Sequence, residues 1–258
     1  MKITSLLENT THRADIQTEH GLSLYIETET HNILFDMGQT DLFAQNAKNL
    51  GISLAEADIA ILSHGHYDHG GGLSAFLSEN DTAPVYVHRD AFLPHYNGTQ
   101  KYIGLDSSLS DHARLIYTDG ETRIADGITL YSCNDRARLR DFGACGLCER
   151  VGDTFIDDDF RHEQYLLIEE QGRRVLISGC SHKGILDIVT WFSPDVLVGG
   201  FHVSKMPLDD TLADAARFLC GYPTVFYTCH CTGEAQYRFM KDYLPRLHYL
   251  ACGDCITL

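Results

Sequence analysis

Ile59-Ala-Ile-Leu-Ser-His-Gly-His-Tyr-Asp-His-Gly-Gly-Gly-Leu73 is the stretch around which the rest of this chain can be read. An apolar strand runs to Ser63. Four ligand-type side chains follow within six residues: His64, His66, Asp68 and His69. Gly65 permits a tight turn between the first two, and Gly70, Gly71 and Gly72 let the backbone come close before a helix begins near Leu73. His64 and His66 can converge on one ion, while Asp68 and His69, at the start of the next helix, can face a second. Two divalent ions roughly 3.5–4 Å apart share a water, lower its pKa and stabilise both oxygens of a displacement. Histidine with one carboxylate suits zinc, at one or two ions per chain, and iron or manganese would also fit. Surface histidines in a polar turn would account for one such residue, not for four in six positions after a buried strand.

Outward from this stretch, short runs of branched and aromatic residues predict strands, among them Leu22–Glu27, Ile33–Phe35, Arg174–Ile177, Val196–Val198 and Val225–Thr228. Helical spacing appears at Leu42, Phe43, Ala47 and Leu50, with Gly51 placed to stop the helix. It recurs at Ile185, Ile188, Val189 and Phe192, and again at Leu212, Ala215, Ala216 and Leu219. Strands come first and strand–helix alternation follows, which points to an α/β domain with more than one sheet layer. The whole of 1–258 reads as a single domain. Residues 89–160 are the least regular, with Pro94, several glycines and the acidic run Asp157–Asp159, and read as long loops or an insertion that could cover a site.

Four histidines occupy equivalent places. His64, His182, His202 and His230 each follow a predicted strand and precede a predicted helix. Ligands gather at the C-terminal ends of strands in α/β folds, so this repetition is what a convergent metal site would produce. His182 and His230 are candidate ligands. His202 could instead contact substrate or donate a proton, and His162, just before the strand Gln164–Ile168, is a further candidate. His12, His20, His31, His88, His95, His112 and His248 read as surface or packing residues.

The chain carries 36 Asp plus Glu against 20 Lys plus Arg, a net charge of −16. That balance argues against sequence-independent binding to nucleic acid or to an anionic membrane surface. It leaves room for a small-molecule substrate, including a phosphorylated one held in a local basic pocket. Met1 to Ile16 has no sustained apolar stretch, and no run reaches the roughly 18 residues that span a bilayer. The expectation is a soluble, cytoplasmic protein. An odd count of nine cysteines without a secretion signal speaks against a disulfide framework.

His-x-His-x-Asp-His after a hydrophobic strand resembles the signature of the metallo-β-lactamase superfamily. Leu34-Phe-Asp-Met-Gly38, Gly179-Cys-Ser-His182, Gly199-Gly-Phe-His202 and His230-Cys-Thr-Gly233 extend the likeness from about Glu19 to Gly233. Together they resemble the subgroup labelled metal-dependent hydrolases of β-lactamase superfamily II, which includes proteins named 7,8-dihydropterin-6-methyl-4-(β-D-ribofuranosyl)-aminobenzene-5′-phosphate synthase. The resemblance implies a four-layer αββα sandwich with metals at the sheet edge. It implies that His230 completes the second ion's ligands and that Asp36 supports the metal-bearing loop. It also implies a middle-region histidine on the first ion, a part that either His162 or His182 could take. One departure stands out. The Gly-Asp that usually bridges the metals reads Gly179-Cys180 here, so Cys180 is either a thiolate ligand or a small buried residue beside a single tight ion.

The function that follows is metal-dependent hydrolysis, in which a metal-bound hydroxide attacks an ester, phosphoester or related small molecule. Asp68 would orient the water or bind the second ion, and His202 would assist the leaving group. The alternatives are a pterin or ribosyl-phosphate synthase, a metal-centred oxidoreductase, and a redox sensor. Superfamily members that pair di-iron with flavin have Glu where this chain has His66, which favours hydrolysis. Cys145-x-x-Cys148 and Cys252-x-x-Cys255 have metal-knuckle spacing and could meet as a second centre. Arg136, Arg138 and Arg140 could meet an anionic substrate or form a solvated charge run.

Overall fold

Strand alternation separates the apolar residues into layers. In the strand Asn32–Phe35, Ile33 and Phe35 point one way and Leu34 the other. Ile59 and Ile61 likewise oppose Ala60, Val175 and Ile177 oppose Leu176, and Val196 and Val198 oppose Leu197. A strand with apolar residues on both faces has to be covered on both. The computed structural model, which describes residues 1–140 and 142–258, meets this demand with two stacked sheets and a helical layer outside each.

The first sheet has the order Cys255–Thr257, Lys2–Leu7, Ser23–Glu27, Asn32–Phe35, Ile59–Ile61, Val85–His88, Leu115–Thr118. Its pairings are antiparallel up to Asn32–Phe35 and parallel beyond it. The second sheet runs Leu247–Tyr249, Val225–Thr228, Val196–Val198, Arg173–Ile177, Tyr165–Glu170, Ile128–Tyr131, Glu121–Ala125. Here the first four strands are parallel and the rest antiparallel. Ile33, Phe35, Ile61, Ile177 and Val198 fill the layer between the sheets. Helices Leu42–Asn49 and Leu73–Glu79 cover the outer face of the first sheet through Phe43, Ala47, Leu73 and Phe76. Helices Ile185–Phe192, Asp210–Cys220 and Glu234–Lys241 cover the second through Ile188, Leu212, Leu219 and Met240. This is the αββα sandwich.

In the segment 89–160, the branched and aromatic runs Leu115–Tyr117 and Ile128–Tyr131 predict strands, and the structure adds Glu121–Ala125 and four short strands to them. Leu115–Thr118, Glu121–Ala125 and Ile128–Tyr131 join the main sheets. Thr154–Asp157, Leu147–Val151, His95–Asn97 and Lys101–Tyr102 form a small third sheet in that order. Most of these strands are short and half-exposed, so they carry too few apolar residues for alternation to be read. Among the described residues no helix is long and apolar enough to cross a membrane.

Candidate metal centre

The parallel strands of both sheets end toward one place. Ile59–Ile61 leads into His64, Arg173–Ile177 into Cys180 and His182, Val196–Val198 into His202, and Val225–Thr228 into His230. Several residues here adopt left-handed backbone without being glycine: Asp36 (φ +60°), Ser181 (+62°), His202 (+53°) and His230 (+49°). Such conformations cost about 1–3 kcal/mol each and persist where the surroundings dictate them. Asp68 and His69 sit in a one-turn helix, Tyr67–Gly70. Gly65 is required where it stands, because a Cβ there would lie 2.1 Å from the carbonyl oxygen of Ala91.

The hydrogen bonds decide which ring nitrogens are bare. Asp36 is fully buried and accepts from the Ser63 backbone N–H and Oγ–H, both at 2.7 Å, and from His69 Nδ1 at 2.6 Å. With Nδ1 donating to Asp36, His69 turns Nε2 toward the site. The Ser63 hydroxyl, having donated to Asp36, accepts from His64 Nδ1 at 2.7 Å, which leaves His64 Nε2 bare. His230 Nδ1 donates to Asn9 Oδ1 at 2.9 Å, and the Gly21 N–H on the same oxygen confirms it as the acceptor. His230 Nε2 is therefore bare, 3.2 Å from His69 Nε2 and 3.4 Å from Asp68 Oδ2. Cys180 Sγ lies 3.2 Å from His69 Nε2. Two ring nitrogens, a carboxylate and a sulfur converge here, and a proton shared between the rings or a cation held among them relieves the repulsion of their lone pairs.

On the other side His64, His66 and His182 bring ligand nitrogens within 4.8 Å of one another. His64 Nε2, His66 Nε2 and both nitrogens of His182 are buried with no hydrogen-bond partner among the described residues. Burying an unpaired polar atom costs free energy, so these orphans fit a set of metal ligands. The Phe160 ring stacks on His182 at 4.4 Å, and Glu163 accepts the N–H groups of His182 and Lys183, which holds that loop in place.

His162 lies behind His66, in a group with His95 and Asp158 whose ligand atoms also fall within 4.8 Å of one another. Its Nδ1 accepts from the Gly65 N–H at 2.9 Å, so its proton sits on Nε2, which donates to Asp158 Oδ2 at 3.2 Å. Neither nitrogen is left over. Of the two middle-region histidines, it is His182 that joins His64 and His66, and His162 braces the Gly65 turn.

Electrostatics follow the same division. Burial, then the neighbouring His69, His66 and His182, hold His64 well below the usual histidine range. His182 is lowered in the same way, by burial and then by His202 and His66. Burial also disfavours charge on His69, but Asp36 and Asp68 outweigh it and lift the ring to about 9. Positive charge is thus favoured beside Asp68, a demand that a divalent ion would meet.

Four contributors lack a signal that singles them out in sequence. Asn9 orients His230, and Ser63 relays Asp36 to His64. His20 reaches Asp68 at 3.2 Å. Asp158 is buried and also accepts from His95 Nδ1 at 3.0 Å, with His66 Nε2 3.9 Å away. His20 and His95, expected on the surface or in packing, therefore stand beside the site.

Two cysteine pairs do not meet. Cys252 is buried with its thiol on the Leu6 carbonyl at 3.1 Å, and Cys255 is exposed on an edge strand. Cys145 and Cys148 lie at the inserted sheet, and among the described residues no group of potential ligands unites the pairs. Arg136 donates to the Trp191 carbonyl, Arg138 to the Asp159 carbonyl, and Arg140 faces Asp187 at 3.7 Å. None of the three lines the cavity of about 170 Å³ above the histidines.

A two-sheet sandwich whose parallel strands converge on a buried set of bare histidine nitrogens, with a carboxylate and a thiol, defines a metal-binding α/β protein. Residues 17–224 match the Metallo-beta-lactamase superfamily, and the chain belongs to it. An uncharacterized protein of Methanocaldococcus jannaschii, MJ0448, is 31% identical over 244 residues, covering 90% of each chain. The 7,8-dihydropterin-6-methyl-4-(beta-D-ribofuranosyl)-aminobenzene-5'-phosphate synthase of the same organism is 26% identical, over 99% of this chain and 96% of its own. Among solved structures, Tm1679, described as a metal-dependent hydrolase of the beta-lactamase superfamily, superposes with a TM-score of 0.86 at 27% identity, covering 100% of this chain and 99% of that one.

Proposed function

We propose that this protein is a metal-dependent hydrolase acting on an ester or phosphoester bond of a small, anionic substrate. His64, His66 and His182 would hold one ion. Asp68, His69, His230 and Cys180 would hold a second. Imidazole nitrogens with one carboxylate and one thiolate suit zinc. When bound, such ions supply a nucleophile at neutral pH and Lewis-acid stabilisation of the reacting oxygens.

The chain's own residues do the remaining work. Asp36 and Asn9 accept the Nδ1 protons of His69 and His230, so that Nε2 is the nitrogen each ring would offer an ion. Lys101 and Lys205 line the cavity in a chain of net charge −16, and would meet a phosphate or carboxylate there. Tyr67, which accepts from Lys101 Nζ at 3.2 Å, and Leu147 limit water around the reacting group. His202 lines the same cavity, and its Nδ1 has no partner among the described residues, which leaves it open to a leaving group or an ion.

The observation that carries this reading is the convergence of the buried, unpartnered nitrogens of His64, His66 and His182, next to His69, His230, Asp68 and Cys180. The test is elemental analysis of purified protein and of His64→Ala, with hydrolysis of a phosphodiester and lactone panel before and after chelation. Metal lost in the variant and activity lost on chelation support the reading. Activity that survives complete metal removal sinks it.

A second reading, group transfer to build a phosphorylated product, draws support from the similarity to the archaeal synthase over nearly the whole chain. Products formed in isotopically labelled water separate the two. Hydrolysis incorporates the label, whereas transfer joins two substrates without it.

A further inference from the structure

Beside the histidine set lies a second group of metal-type side chains, and it is rich in sulfur. Cys180, His202 and Cys231 bring two sulfurs and a ring nitrogen within 4.8 Å of one another. They come from three separate strand ends, after Arg173–Ile177, Val196–Val198 and Val225–Thr228. The two cysteines are 3% and 7% exposed, and all three residues line the cavity. The His202 ring is hydrogen-bonded to the Cys145 and Cys231 side chains, and its Nδ1 is buried without a hydrogen-bond partner among the described residues.

The backbone accommodates this group. A Cβ on Gly200 would lie 2.4 Å from Cys231 Sγ, so the loop leaves the sulfur its place. His202 adopts left-handed backbone, a conformation that only its surroundings can sustain. The Cys231 thiol meets the Cys180 carbonyl at 3.5 Å and is hydrogen-bonded to the Cys180 and His202 side chains, contacts that a shared cation would replace. Cys180 faces both ways, since it also belongs with His64 and His69.

We propose that Cys180, Cys231 and His202 bind a soft d¹⁰ cation such as Zn²⁺, Cd²⁺ or Cu⁺, next to the histidine set and joined to it through the Cys180 thiolate. Two thiolates and an imidazole favour such ions over Mg²⁺ or Ca²⁺. Each thiol passes its proton to solvent as its sulfur–metal bond forms, and no electron is transferred. The inference rests on the proposed function only in sharing Cys180 with the His69 side. It assigns His202 to an ion rather than to a leaving group.

The test is titration of reduced, metal-free protein with Cd²⁺, counting bound ions by equilibrium dialysis and thiolate ligation by the sulfur-to-cadmium absorbance band. Wild-type protein is expected to bind one more equivalent than Cys231→Ser or His202→Ala. The band is expected to fall to roughly half in Cys231→Ser, as two ligating thiolates become one. Circular dichroism confirms folding of each variant, and His202→Ala serves if Cys231→Ser does not fold. Cys255→Ser, at an exposed cysteine, is expected to match wild type in both readings. Unchanged stoichiometry and band in both Cys231→Ser and His202→Ala overturn the proposal. So does a Cys180–Cys231 disulfide whose reduction creates no additional cadmium site. His64→Ala separates the two readings. If it loses an ion while the sulfur band persists, both stand. If it loses an ion while neither Cys231→Ser nor His202→Ala does, only the hydrolase reading survives.

Discussion

Replacing Asp36 by Asn changes one oxygen to an amino group at the centre of the relay, and the consequence can be followed bond by bond. One carboxylate oxygen accepts the Ser63 N–H, a role the Asn carbonyl keeps. The other accepts from both the Ser63 hydroxyl and His69 Nδ1. An NH₂ there meets two donors. His69 relieves the clash by moving its proton to Nε2, the nitrogen that faces His230 and Cys180. The Ser63 hydroxyl relieves it by turning to donate to His64 Nδ1, which puts the His64 proton on Nε2. Both rings then present N–H where a ligand lone pair belongs. Restoring the ligating tautomer leaves a buried donor unsatisfied, at about 1–3 kcal/mol per ring. Each ion's affinity is therefore expected to fall roughly 10–100-fold, the range for losing a partner behind a ligand. Competition against a chromophoric chelator reads this directly, with denaturant unfolding to confirm the fold. Ser63→Ala is the internal check, because it releases His64 and leaves the Asp36–His69 bond in place. Wild-type affinity at both positions in Asp36→Asn would refute the relay. A loss confined to one position would show that Ser63 does not transmit it.

Asn9→Ala should weaken the ion beside His230 by about tenfold and spare the ion at His64, His66 and His182; equal loss at both, measured by the same competition, would contradict the tautomer argument. Ion-free protein should lose stability as the pH falls below about 6.5. Burial holds His64, His162 and His182 well below their ordinary value when folded, so the unfolded chain binds more protons in that range. The slope is up to roughly 1.4 kcal/mol per pH unit for each histidine. His69, lifted to about 9, adds stability that is present below its unfolded value and lost only as pH rises toward 9, outside that window. Urea midpoints near pH 7 and pH 5.5 check the direction, and a midpoint that rises on acidification refutes it. Gly65→Ala should destabilise by about 1–3 kcal/mol, because its Cβ would meet the Ala91 carbonyl 2.1 Å away and the metal-bearing turn would have to shift. A wild-type melting midpoint would mean that the turn yields freely.

The layers of this protein are written locally. Ile33 and Phe35 against Leu34, and Ile59 and Ile61 against Ala60, already specify strands buried on both faces, since side-chain direction alternates along a strand. The cluster from His64 to His69 is legible for the same reason: its ligands are neighbours in the chain, and the strand before them aims them at the sheet edge. Even His182, His202 and His230 could be placed at strand ends by counting elements. Within 89–160, Leu115–Thr118 and Ile128–Tyr131 were legible as branched and aromatic runs, whereas the strands of the small sheet were not, because residues such as Lys101, Tyr102 and Thr154 form half-exposed pairs whose partner lies across that sheet.

What tertiary structure alone decides is protonation and company. Whether His162 or His182 offers a free nitrogen depends on the Gly65 N–H, 97 residues from His162, and nothing near either histidine encodes that contact. The bare nitrogen of His230 depends on Asn9, 221 residues away. The pairs Cys145–Cys148 and Cys252–Cys255 have the spacing of a metal knuckle but do not meet; Cys145 instead reaches His202, on which Cys180 and Cys231, with no such spacing, also converge. Spacing along a chain reports which side chains can share a local face. A ligand's tautomer and its neighbours are set by donors and acceptors that reach the same point from distant strands, and those meet only once the two sheets have stacked.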